Sequence, residues 1–136
     1  MKRYLVAPLA LVLFGAAAQA WAHHSFAATY LENQTITIDG ELVQFVLRNP
    51  HSFVNVDVTE KDGAKTRYVV EWAAPAQLAG KVDRETLKPG DHVIITGSPG
   101  RNTEDHRVRL LTFRRPKDAN HTADWTWGLL PDESFK

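Results

Sequence analysis

Through most of this chain apolar and polar residues alternate with the period of two that belongs to strands. Thr35-Ile36-Thr37-Ile38 alternates, Gly40 interrupts, and residues 42–47 continue almost without a polar break. This predicts one long, coiled first strand over residues 35–47. A glycine inside such a pattern marks a bulge or a sharp bend, which places one at Gly40. Arg48-Asn49-Pro50-His51 reads as a turn, because proline lacks a donor and restricts the residue before it. Residues 52–59 make the second strand, with Val54, Val56 and Val58 on one face and Phe53, Asn55 and Asp57 on the other. After the hairpin signal Lys61-Asp62-Gly63-Ala64, residues 66–72 make the third strand. It points Tyr68, Val70 and Trp72 one way and Arg67, Val69 and Glu71 the other.

The pattern then changes. Residues 73–80 are alanine-rich, with Pro75 suited to a first helical turn and Gly80 to a stop, and predict a short helix. Leu87-Lys88-Pro89-Gly90-Asp91 is a turn that launches a fourth strand over residues 92–96. Residues 97–105 form a polar loop, and residues 107–114 a fifth strand. Beyond Pro116 the chain is polar. Trp125 and Trp127 lie two apart, so in an extended segment they share a face and should pack on the barrel or on a partner.

Three strands, a short helix and two strands give an all-β chain with one short helix. The order is that of a small OB-like five-stranded antiparallel barrel, with an open β-sandwich as the alternative. Closure would remove the free edges of a sheet. The expected interior comprises Ile36, Ile38, Val54, Val56, Tyr68, Val70, Trp72, Val93, Ile95 and Leu110. In OB-type barrels the second and third strands commonly form the binding face, which here carries Phe53, Asn55, Asp57, Arg67 and Glu71. For Asp57, Arg67 and Glu71 a solvated sheet face with cross-strand ion pairs is the better reading.

The first residues follow another order: basic Lys2 and Arg3, an apolar run over residues 5–14, then small residues 15–18. That is the order of a secretory signal peptide. The run falls short of the roughly 20 apolar residues of a membrane span, and no second run follows. The chain therefore divides into a removed signal (1–22), an N-terminal arm (23–34), an OB-like β domain (35–115) and a tail (116–136). The expected compartment is the periplasm or the cell exterior. Cleavage after Ala20 would leave Trp-Ala-His, whose amine, two backbone nitrogens and imidazole suit square-planar Cu(II) or Ni(II). Cleavage after Ala22 would leave His23 first, so that its amine and ring can chelate one metal.

Charge and sulfur content narrow the partners. Lys2 and Arg3 leave with the signal, so 16 basic residues become 14 against 16 acidic ones, a balance of about −2. A nucleic-acid binder should carry a basic face instead. There is no cysteine, and the one methionine is the initiator, so a metal would have to use imidazole, amine, carboxylate or backbone groups. His51 is the second candidate ligand, because the proline before it leaves little ordering entropy to lose. His24 adjoins His23 but alternates away from it in an extended segment. His92 is expected half-exposed, and His106 and His121 solvated. Catalysis has weak support. Ser25 beside two histidines lacks any assured geometry, and Gly97-Ser98-Pro99-Gly100 lacks the lysine and following helix of a phosphate loop.

His23-His24-Ser25-Phe26-Ala27-Ala28-Thr29-Tyr30, Asn49-Pro50-His51 and Leu87-Lys88-Pro89-Gly90-Asp91 together resemble the marker segments of a bacterial exported family, domain of unknown function family 6152. The resemblance implies a periplasmic or secreted protein with a small β-rich domain, and no established activity. The function expected is an exported barrel that binds a divalent transition metal, Cu(II), through His23 and His51, with His24 adjacent. A module that binds a periplasmic protein along strands two and three is the rival, and a small copper-clamp metalloenzyme is a third reading.

Overall fold

The computed structural model describes residues 26–83 and 85–128. Residues 1–25, with the expected signal segment, His23, His24 and Ser25, lie outside the described residues, as do Arg84 and residues 129–136.

The strands are β1 (Ile36–Val46), β2 (Phe53–Thr59), β3 (Lys65–Glu71), β4 (His92–Pro99), β5 (Arg107–Arg115) and β6 (Trp125–Trp127). A short helix, Pro75–Leu78, lies between β3 and β4. The sheet order is β3-β2-β1-β4-β5-β6, and β3 also pairs with β5, which closes the first five strands into an OB-like barrel. The open sandwich is thereby set aside. One pair departs from the antiparallel expectation: Val69 to Glu71 run parallel to Arg107 to Arg109. The chain leaves β3, passes the helix, traverses β4 and turns back, so β5 arrives in the same direction as β3.

The length of β1 is what allows closure. Its first half pairs with β4 and its second half with β2, and Glu41 stands opposite both His92 and Asp57. Gly40 sits at this changeover, where a Cβ would run into the carbonyl of Asp57 and the Val56 side chain. The break in register falls between Leu42 and Gln44, with Val43 as the extra residue. Gly40 thus permits a close approach of backbones, while the bulge expected there lies at Val43.

The interior follows the predicted alternation. Val54, Val56, Val70, Val93, Ile95 and Val108 are fully buried, and Ile38, Trp72 and Leu110 nearly so. Ile36, Val58 and Tyr68 pack against this core from its rim. β4 runs on to Pro99 through a bulge between Thr96 and Gly97, so the expected loop begins later than its polar composition suggested.

The tail adds β6, which pairs with β5 through Phe113↔Trp127 and Arg115↔Trp125. Trp125 and Trp127 both meet Trp72 edge-on, at 6.2 and 5.4 Å between ring centres. His121, expected in solvent, is instead buried against Asp91 at 2.8 Å, with only 9% of its side chain exposed. The buried Arg115 donates to the carbonyls of Thr86 and Ala123 and so ties the tail to the loop before β4. Among the described residues no helix is long and apolar enough to cross a membrane.

Candidate functional site

The parallel seam between β3 and β5 presents Glu71, Arg107 and Arg109 on its outer side, and the N-terminal arm lies across it. A helical turn at residues 26–29 leads into Tyr30, which bridges to Gly100. The N–H of Leu31 donates to Pro99, and Arg101 binds the arm twice, through its N–H to Thr29 and its Nε to the carbonyl of Ala27. Tyr30 is consequently 1% exposed.

His51 reaches the same place from the turn after β1. The Asn49–Pro50 peptide is cis. Ser52 exchanges backbone hydrogen bonds with Trp72 and Ala73, which holds His51 beside the end of β3. There its Nδ1 stands 2.6 Å from Glu71 Oε1. A carboxylate accepts, so the ring nitrogen donates, and in the neutral ring Nε2 presents a lone pair. Glu71 Oε2 accepts from the Tyr30 hydroxyl and has Arg107 at 3.6 Å. Burial, and then the hydrogen bond that the hydroxyl donates to the Glu71 carboxylate, hold the Tyr30 phenol above its ordinary range. Phe26 packs its ring 5.2 Å from that of His51, and the Arg109 guanidinium stacks 3.8 Å from the Phe26 ring centre.

Phe26, His51, Glu71 and Arg109 border a cavity of about 250 Å3 walled also by Trp72, Gln77 and Trp127. Among the described residues no three His, Cys, Asp or Glu side chains stand together as a metal site would require. His51 alone of the three candidate metal ligands is placed; His23 and His24 precede Phe26, outside the described residues.

A family model described as "Family of unknown function (DUF6152)" matches residues 11–109. The chain belongs to this family. The DUF6152 match spans Tyr30, His51, Glu71, Arg107 and Arg109, whereas Trp127 lies beyond it. No curated protein matches the chain. One similar solved structure is the crystal structure of the mitochondrial single-stranded DNA binding protein Rim1 from S. cerevisiae, at 15% identity and a TM-score of 0.47. It covers 63% of this chain and 96% of its own.

The five residues expected on a binding face separate into two groups. Phe53 lies under Arg48 at 4.6 Å, Asn55 donates to Gln44 at 3.3 Å, and Arg67 binds Asp57 at 2.9 Å. That hydrogen bond from Arg67 holds the Asp57 carboxyl below its usual range. Glu71 belongs to the His51 site instead, with 12% of its side chain exposed. Sequence reasoning missed Tyr30, Gln77, Arg107 and Arg109. The two arginines alternate with the buried Val108 and Leu110, a pattern that marks an outer face and leaves open what covers it.

Proposed function

We propose that this member of DUF6152 is exported, is cut after Ala22, and binds Cu(II) through the His23 amine and ring together with His51. One observation carries the reading: Glu71 fixes the His51 ring through Nδ1 at 2.6 Å, and the arm arrives at that same ring through Phe26 at 5.2 Å. A carboxylate behind a histidine sets its tautomer, orients the ring and raises the basicity of the other nitrogen, as is usual behind metal-ligating histidines. His23 stands three positions before Phe26, a reach of roughly 10 Å when extended. The amine and the two imidazoles would then supply three nitrogens, a set that suits Cu(II) above other common divalent ions. The rival reading, a partner bound along β2 and β3, is less favoured because Asn55, Asp57 and Arg67 are already engaged by neighbouring side chains.

The test is calorimetric titration of Cu(II) into protein that begins at His23, with tryptophan fluorescence as a second readout, because Trp72 and Trp127 border the cavity. One tightly bound ion that quenches this fluorescence is expected. His51→Ala should weaken binding by about 10-fold or more, and an added N-terminal residue should abolish tight binding. Equal affinity in all three proteins would sink the metal reading.

A further inference from the structure

The cavity beside His51 has room for a molecule as well as an ion. At roughly 30 Å3 for each water it corresponds to about eight waters. Phe26, Trp72, Leu110 and Trp127 give it apolar and aromatic walls.

Its polar groups are unevenly committed. Both oxygens of Glu71 are taken, one by His51 and the other by Tyr30. The carbonyl of Ala73 accepts from the N–H of Ser52. Gln77 turns its oxygen to the N–H of Ala74 at 3.1 Å, which leaves its amide NH2 without a hydrogen bond among the described residues. Arg109 gives one nitrogen to Glu32 at 2.6 Å and lays its guanidinium on Phe26; the rest of its fork has no further hydrogen bond among the described residues. Free donors therefore remain at the cavity wall, while the acceptors of Glu71 and Ala73 are occupied and only Nε2 of His51 stays open. A ligand that completes this set must bring acceptors.

We infer that the cavity binds a small organic acid, its carboxylate received by Arg109 and Gln77 and its apolar body held against Trp72 and Trp127. A guanidinium and an amide offer planar, charge-assisted donors that match the two oxygens of a carboxylate. Arg109 is partly neutralised by Glu32, which suits a monoanion better than a doubly charged phosphate. The aromatic walls favour a flat, apolar body. The inference goes beyond the metal reading and stands without it, since no proposed copper ligand enters the donor set.

The probe is benzoate, titrated into protein freed of metal with a chelator and followed by tryptophan fluorescence and by saturation-transfer NMR. Saturable binding is expected, with benzamide, the neutral analogue, at least about 10-fold weaker. Arg109→Gln should weaken benzoate binding by a similar factor. Glu32→Gln, which releases the guanidinium and leaves the cavity walls unchanged, should strengthen it several-fold; thermal melts verify that each variant is folded. Absence of benzoate binding, equal binding of benzoate and benzamide, or an unchanged affinity in Glu32→Gln overturns the proposal. Copper is absent throughout, so failure here leaves the metal reading untouched, and a failed copper titration leaves this one untouched.

Discussion

Glu71 accepts from two side chains brought from far apart in sequence, Tyr30 at 41 residues' separation and His51 at 20. Its charge is thereby enclosed, and the ring of His51 and the arm are both referred to one carboxylate. This has a consequence at alkaline pH. An unfolded tyrosine ionises at its ordinary value of 10.0, whereas burial and then Glu71 keep folded Tyr30 protonated to higher pH. Above that value the unfolded state binds fewer protons than the folded one, so this contribution is full below pH 10 and is lost as pH rises further. The melting temperature of wild type should exceed that of Tyr30→Phe at about pH 8, and the gap should narrow by about pH 11. A gap independent of pH would show that the hydroxyl is not held protonated by the fold. His51 was legible in the sequence because the proline beside it marks a rigid turn. Glu71 was legible only as one of five residues on a sheet face, since alternation assigns a face and is silent on what covers it. Tyr30 ends a marker segment, but nothing beside it signalled its contact with Glu71; that role rests on contacts made only after the barrel closes.

At the scale of elements, the five barrel strands follow from alternation, because each has one face in the core and a slip of one residue would turn its valines outward. β6 is different. Three residues carry too little pattern to announce a strand, and what fixes it is the pairing of Trp127 with Phe113 and of Trp125 with Arg115. The buried contact of His121 with Asp91 was equally illegible, since a histidine in a polar stretch resembles any solvated one. The tail therefore acts as a structural element of the barrel. Ending the chain after Pro116 removes both tryptophans, the His121–Asp91 contact and the Ala123 carbonyl that receives Arg115. Loss of a core Trp costs about 3–5 kcal/mol; these two are half-buried, so about 3 kcal/mol in all is expected. At about 4–8 °C for each kcal/mol in a domain near this size, the melting temperature should fall by at least about 10 °C. An unchanged melt would mean that the tail does not hold to its own barrel in solution.

Across the whole molecule, closure and the candidate site are one construction. A long β1 that serves two neighbours brings β3 to β5, their parallel seam lines up Glu71, Arg107 and Arg109, and the arm lies along that seam. The arm therefore has two separable tasks. Residues 27–33 fasten it, through Arg101 to Ala27 and Thr29, Leu31 to Pro99, and the burial of Tyr30. Phe26 brings the arm to the ring of His51. A protein that begins at Ala27 keeps every one of those fastenings and should melt within a few degrees of the form that begins at His23. It should also lose tight Cu(II) binding, because the terminal histidine is gone while His51 and Glu71 remain. A protein that begins at Gln34 loses Tyr30 as well. Burial of a large aromatic contributes about 3–5 kcal/mol, so this shorter form should melt lower by at least about 10 °C. Thermal melts and copper titrations on the three forms check both halves. Copper held as tightly by the Ala27 form as by the His23 form would separate the arm from metal binding and leave it a purely structural strap over the seam.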